Sequence, residues 1–533
     1  MAHTEQQQEQ STQKEQQKGQ AWIKIPDWFA IDNYLENVKI WYKVQPFMYD
    51  KTGLYWLWDH DTYIWRQCDE TDVMIALDRG LQMHGATVNK SIKANYLEAV
   101  RRIGRMYKPH DPRPTWVQFN DTVYDIKEGY SFKGHPNIFI TNRIPWNAVK
   151  GSTERIEQIF RQWVAPDKVE LLFDIIAYSC LCDMPIASIF CLKGGGSNGK
   201  SEYQRLIGRF LGEENICESE LSLLSTSRFE SSHLYRKLVC FMGEINCGTI
   251  NETALLKKLS AGDFVGVEFK HRGKFVSRNY AKLIVGANSL PRTIDNTHGW
   301  HRRWYIIDFP NQFDQQRSPI LDLQESDYEA LAYKCLQNLK PIVTTCSFTN
   351  TQSIEQRQRH YEVASNPLKE FLDMEFCKVM LDSDYYSIYG EVYTCFTRWL
   401  VAHNKRKVKY AEFRDALTEE GLYIEKTQKG QVNGRFIIGL QFSFPLFEKY
   451  MHDRHDRMTN SQLTFPYREN KLETRHSVMS VMDSGAEKKP FDGQSFEWSD
   501  DWIVHHQCAY PGCITRVCNL GQDDLPFCKK HLK

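Results

Sequence analysis

The chain predicts an α/β protein built on a mainly parallel sheet, with smaller units on either side of it. Three observations carry that prediction. Within the core segment 186–345, the apolar strand-like runs ASIFCLK, LVCFMGE, KLIVGAN and RWYIIDF alternate with helices as far as residue 310. A glycine-rich turn, GGGSNGKS, sits between the first of these runs and a helical one. At 533 residues the chain is also too long for a single ordinary core, so further domains are expected around the sheet.

Residues 1–20 hold eight glutamines and no apolar run, and read as a solvated tail without a leader. Residues 21–150 predict an α+β domain. TGLYWLWDHDTYIWRQC alternates around an Asp-His-Asp turn, SIKANYLEAVRRIGRMY has helical spacing, and VQFNDTVYDI turns at Asn120-Asp121. Residues 151–185 predict helices; STERIEQIFRQWV opens on Ser152-x-x-Arg155, a capping box lacking its usual Glu. Residues 325–380 read as helical. Within 346–450 the stretch 385–445 reads helix, basic turn, helix and two strands. Residues 451–500 read as a linker and 501–533 as a small separate module. The most apolar stretch, 171–192, is interrupted by Asp174, Asp183 and Pro185, so a buried helix and strand are expected there, with no membrane span.

The chemistry concentrates in the α/β segment. Glycines at 194, 195, 196 and 199, with Ser197 and Asn198 between them, free a backbone to turn its N–H groups onto phosphate oxygens. Lys200 then reaches the β/γ phosphates of ATP, the Ser201 hydroxyl is placed to ligate Mg²⁺, and the following helix adds its N-terminal dipole. The second strand ends in Glu244, where a carboxylate polarises an attacking water; Gly243 stands where an acidic residue often precedes it. The third strand ends in Asn288, an amide suited to orient that water. HGWHRRW then presents Arg302 and Arg303, either of which can stabilise charge on a neighbouring subunit's nucleotide; an arginine pair is also common on a solvated face.

In this order, Gly194–Ser201, Glu244, LKKLSAGDFVGVEFKHRGKF, GANSLP and HRRW resemble the motifs of superfamily 3 helicases. The closer likeness is to the phage and plasmid primase-helicase branch, including the poxvirus-type primase-helicases. The flanks are similar too: VYDI…IFITNRIPW and the helices to 181 resemble the domain before the ATPase, and 385–445 resembles its winged helix. The resemblance implies an AAA+ core whose ATP sites lie between subunits of a ring, usually a hexamer. It also implies translocation 3′ to 5′ on single-stranded DNA and unwinding at forked DNA in the replication of a virus, plasmid or other mobile element. By residue it makes Lys200 and Ser201 nucleotide ligands, Glu244 the catalytic acid, Asn288 the sensor, and Arg302 or Arg303 the finger. No primase-like segment precedes position 21, so a separate primase or polymerase subunit is expected.

Lys+Arg and Asp+Glu both number 67, so a nucleic-acid surface has to be local. Two basic stretches qualify, each competing with an ordinary solvated face. One is the turn around His271 and Gly273, with Lys270, Arg272 and Lys274; the resemblance makes it a pore loop. The other is Lys405, Arg406 and Lys407, with Lys409 beyond, ahead of a predicted helix. Eleven scattered cysteines suit an intracellular, reduced protein. In the tail, Cys508-x4-Cys513 and Cys528-x2-His531 have the pairing of a zinc site, with Cys518 spare. A rival expectation is an origin-binding or loading scaffold in which ATP controls assembly; Glu244, Asn288 and the arginine pair favour turnover.

Overall fold

A computed structural model describes residues 33–82, 89–227, 229–243, 249–250, 252–270, 273–293, 295, 297–313, 318–380, 384–403, 405–429, 432–460, 519–520 and 526–527. Residues 1–463 form one unit and 464–533 another.

The first unit opens with helix α1 (Tyr34–Val44), strands β1 (Phe47–Tyr49), β2 (Tyr55–Asp59) and β3 (Ile64–Cys68), and helices α2 (Glu70–Gln82) and α3 (Lys90–Met106). β1, β2 and β3 form an antiparallel meander. Asp50 fixes its first turn by accepting from the Thr52 and Leu54 N–H groups at 2.8 and 3.0 Å. A second meander, β4 (Trp116–Phe119), β5 (Thr122–Asp125) and β6 (Ser131–Lys133), turns at Asn120, which has a φ of 50°. Asn tolerates that left-handed backbone better than most residues. Both two-strand hairpins expected from the sequence are present, each extended by a three-residue strand too short to announce itself.

Helices α4 (Glu154–Trp163) and α5 (Val169–Ser179) lead into the central sheet. α4 starts after Thr153, and the Ser152 hydroxyl accepts from the Glu154 N–H at 3.2 Å. The Ser152–Arg155 capping box is therefore not formed: position 155 lies one residue short of a reciprocal cap.

The central sheet contains β7 (Ile189–Lys193), β8 (Ile216–Ser219), β9 (Val239–Met242), β13 (Lys282–Ala287) and β15 (Trp304–Asp308), all parallel, in the order β15-β7-β13-β9-β8. Alternate side chains of each inner strand enter two different cores. Phe190 and Leu192 pack with α5 and with α6 (Lys200–Leu211), while Ile189 and Cys191 pack on the opposite side. That division explains the continuous apolar runs, because a strand covered on both faces has no solvent side to alternate with. The expected α/β core with a parallel sheet is thus present, with β8 as a fifth strand.

Between β9 and β15 lie the short parallel pair β10 (Thr249–Ile250) and β14 (Arg292–Thr293), α7 (Ala254–Leu259), the hairpin of β11 (Phe264–Val267) and β12 (Phe275–Arg278), and a short helix, His298–His301. Helix α8 (Glu325–Thr345) packs on α5, followed by α9 (Ile354–Ser365) and α10 (Pro367–Leu372). The rest of the unit has its own core around Phe371, Trp399 and Phe413. It comprises β16 (Cys377–Val379), β17 (Tyr386–Ile388), α11 (Tyr389–Ala402), α12 (Tyr410–Glu419), β18 (Tyr423–Lys429), β19 (Val432–Ile438), β20 (Leu440–Phe442) and α13 (Phe444–Asn460). Two readings change here: 377–379 is a strand within the stretch expected to be helical, and 451–460 continues a helix where a linker was expected. Phe447, fully buried against that core, anchors α13.

Within the second unit the described residues form one short antiparallel pair, β21 (Asn519–Leu520) and β22 (Pro526–Phe527). No described helix is long and apolar enough to cross a membrane.

Candidate nucleotide site

The glycine-rich turn leaves the carboxyl end of β7. The chain goes from β7 to β8 on one side of the sheet, and from β13 to β15 on the other. The crevice between the ends of β7 and β13 is therefore a topological switch point, where open α/β sheets bind ligands. The Gly194 N–H donates to the Ala287 carbonyl at 3.0 Å, which pins the turn to this crevice.

The turn is shaped by positive φ angles at Gly196 (100°), Ser197 (49°) and Gly199 (92°). Such a run points successive N–H groups to one side and makes an anion-binding concavity. Two glycines are required by contact as well. A Cβ on Gly194 would lie 2.7 Å from the Phe309 carbonyl, and one on Gly199 would lie 2.5 Å from Trp163 Nε1. Asn198 is buried and donates to the Phe309 and Asn311 carbonyls at 3.0 and 2.8 Å, tying the turn to the segment after β15. Lys200 folds its ammonium back onto the Gly194 carbonyl, with Asn198 Oδ1 at 3.3 Å and Asn288 Oδ1 at 3.5 Å. The sheet thus brings Lys200 and Asn288 together, although 87 residues separate them in sequence. Ser201, on the first turn of α6, is exposed.

Glu244 lies outside the described residues, as do Arg272, Cys508, Cys513, Cys528 and His531. The arginine pair divides. Arg302 is exposed, whereas Arg303 is 8 % exposed and donates through Nη1 to the Gly299 carbonyl. Burial, reinforced by Arg302 next to it, pushes the Arg303 pKa down. The helix preceding the pair is tied to α7 through Asp295, which pairs with Lys257 and accepts from Thr297 Oγ1 at 2.6 Å. Burial favours the neutral acid at Asp295, but Lys257, Thr253 and Thr297 outweigh it and hold the carboxyl far below the usual range.

Lys270 and Lys274 are exposed at the end of the β11–β12 hairpin. The hairpin's outward face also exposes Phe264 (69 %) and Val276 (66 %), while Val265 and Val267 face inward. Arg406 and Lys407 are exposed too, but Lys405 is not available for a phosphate. Its side chain is 4 % exposed and pairs with Glu370 at 2.9 Å. The reason is geometric: the turn after α11 lies against the end of β13, where Lys405 also donates to the Asn288 carbonyl at 3.3 Å.

That pair belongs to a chain of charges which sequence reasoning missed. Glu370 also holds Lys193 at 2.9 Å, Lys193 reaches Asp308 at 3.6 Å, and Asp308 meets His360 Nε2 at 3.1 Å. Burial raises the Glu370 pKa, yet Lys193 and Lys405 together outweigh it and leave it below normal. Lys405 itself is lowered, chiefly by burial. Lys193 immediately precedes Gly194, so the network clamps the root of the glycine turn. The His403 carbonyl would lie 3.4 Å from a Cβ on Gly195, which places the same C-terminal segment against the turn itself.

A family model described as a family of unknown function, DUF5906, matches residues 192–303, from the end of β7 through the arginine pair. Among solved structures, an A form apo structure of the NrS-1 C terminal region is similar at 14 % identity and a TM-score of 0.40, over 73 % of this chain and 86 % of that one. A second A form apo structure of that region gives 14 % and 0.41, over 78 % of this chain and all of the other. A further apo structure gives 14 % and 0.41, over 79 % and 100 %.

Proposed function

We propose that this protein is an ATP hydrolase of the AAA+ type that acts as a DNA helicase in replication. The observation that carries the reading is the meeting of Lys200 with Asn288 at the switch-point crevice, beside a turn with positive φ at Gly196, Ser197 and Gly199. The residues fit the group they are asked to hold. Side chains are excluded at Gly194 and Gly199, and the Lys200 ammonium rests on a loop carbonyl that an anionic oxygen can replace.

On this reading Lys200 and the turn's N–H groups hold the phosphates, and Ser201 holds Mg²⁺. ATP supplies the phosphoanhydride whose hydrolysis drives movement. Asn288 orients the attacking water, which Glu244 polarises. The exposure of Arg302 favours it over Arg303 as the finger reaching a neighbouring protomer, because a residue acting in trans has to leave its own surface.

Single-stranded DNA is assigned to the β11–β12 hairpin tip and to a winged helix made of β17, α11, α12, β18 and β19, with Arg406 and Lys407 at its basic turn. Exposed apolar and cationic side chains together suit bases and phosphates on the hairpin. A hexameric ring, 3′ to 5′ movement on forked DNA, a separate primase or polymerase subunit and a zinc-binding tail complete the proposal.

The test is ATP hydrolysis and fork unwinding by the full chain. The parent hydrolyses ATP faster with single-stranded DNA and separates a fork, whereas Lys200→Ala and Glu244→Gln do neither. Unchanged hydrolysis in both variants refutes the reading. Hydrolysis without strand separation refutes its helicase half.

A further inference from the structure

A cavity of about 160 Å³ lies between β4, the segment 139–144 and the start of β9. It is near the amino end of β9, at the end of the strands opposite the glycine turn. Val117, Ile144 and Leu238 supply much of its wall, and the side chain of Arg236 opens onto it.

Arg236 is held there by more than its own preference. Its φ is 57°, a left-handed conformation that costs a non-glycine residue and persists where surroundings over-determine it. Asn142 Nδ2 donates to its carbonyl at 2.9 Å. The guanidinium lies 4.3 Å from the centroid of Phe139 and 5.6 Å from that of Trp56, and its Nε donates to the Tyr235 hydroxyl at 3.4 Å.

No described carboxylate pairs with the guanidinium, and its terminal nitrogens donate to no described acceptor. The polar groups across the cavity are engaged with one another: Asn142 Oδ1 accepts from the Tyr280 hydroxyl at 2.8 Å and from the Cys182 thiol at 3.5 Å. Aromatic faces attract a cation but give its N–H groups no acceptor in the ring plane. Arg236 is half-buried, so a counter-charge beside these apolar walls strengthens its pairing, and a planar fork is the geometry a carboxylate matches.

We propose that this cavity binds a small carboxylate. The two oxygens lie on the terminal nitrogens of Arg236 and a short aliphatic body lies against Val117, Ile144 and Leu238. A cavity of this size takes a guest of about six heavy atoms, as an apolar cavity near 150 Å³ takes benzene. The site is separate from the glycine turn and does not depend on the proposed helicase activity.

The probe is isobutyrate, followed by saturation-transfer difference NMR on the full chain, with uncharged isobutyramide as its isostere. Isobutyrate binds the parent with a Kd on the order of 1 mM, isobutyramide gives no signal, and Arg236→Met weakens isobutyrate at least tenfold. Circular dichroism checks that the variant is folded. If it is not, Arg236→Lys takes its place, keeping the charge without the fork and weakening binding about tenfold. The proposal is overturned by equal binding of isobutyramide, by undiminished binding to a folded Arg236 variant, or by no parent signal at roughly 10 mM probe.

Discussion

Lys405 and Glu370 stand 2.9 Å apart, and the same carboxylate holds Lys193 at 2.9 Å. Lys193 ends β7 and Lys405 follows α11, so one buried carboxylate joins the root of the glycine turn to the C-terminal segment. Removing one partner of a buried pair leaves a desolvated charge, which costs about 3 kcal/mol or more. Glu370→Gln lowers the stability of the chain by that order in chemical denaturation and, on the proposed function, weakens binding of a fluorescent ATP analogue with it. A stability loss below about 1 kcal/mol would show that the network is solvated.

Gly199→Ala tests the cradle. The new methyl group meets the Trp163 indole, and the backbone stays at a φ of 92°, where alanine is strained. The strain is on the order of 1–3 kcal/mol, and relaxing it flattens the turn. On the proposed function, binding of a fluorescent ATP analogue then falls at least tenfold, measured by fluorescence anisotropy; retained affinity would contradict the role proposed for the turn.

Lys282 gives the stability a pH signature. It is fully buried on β13, donates to the Leu181 and Asp183 carbonyls, and burial pushes its pKa down to about 8 from 10.5. Between those values the unfolded chain binds the proton and the folded chain does not, so stability rises with pH across that window. The contribution is about 3 kcal/mol from pH 8 to 10.5. Other groups titrate there too, so the measurement is a difference: Lys282→Met removes this rise from the denaturation midpoints of the parent. Identical pH profiles would mean that the amine stays charged.

The arginine pair separates by exposure. Arg302→Ala changes stability by less than about 0.5 kcal/mol, as surface substitutions do, whereas Arg303→Ala costs about 1–3 kcal/mol. On the proposed function, Arg302→Ala protomers regain hydrolysis when mixed with Lys200→Ala protomers. Failure of the mixture removes Arg302 as a trans finger.

The basic turn divides in the same way. On the proposed function, Arg406→Ala with Lys407→Ala lowers the salt dependence of single-stranded DNA affinity by about one to two in slope. Lys405→Ala shifts the thermal midpoint instead. A slope unchanged by the double variant assigns those two residues to a solvated face.

Four of the five sheet strands were legible because burial on both faces leaves an uninterrupted apolar run. β8, Ile-Cys-Glu-Ser, was not: it is an edge strand, half exposed, and its residues carry no period. The glycine turn was legible because its chemistry is contiguous. Asn288 was found from its place at a strand end, and its nearness to Lys200 follows from strand pairing. The Lys193, Glu370, Lys405, Asp308 and His360 network was illegible because each member reads as a surface charge until the fold joins residues over a hundred positions apart. Sequence alone gave Lys405 the same standing as Arg406 and Lys407, since direction of burial is a property of the packed turn.

The contact between the His403 backbone and the glycine turn bears on where this protein can be cut. A chain ending near residue 345 keeps every strand of the sheet and every residue of the phosphate cradle. It also strips Lys193 of Glu370, bares Asp308 and opens the flank of Gly195 to water. The smallest fragment that keeps the glycine turn in its described packing is accordingly set by α11 and α13, not by the last strand of the sheet, and a boundary near residue 460 preserves it.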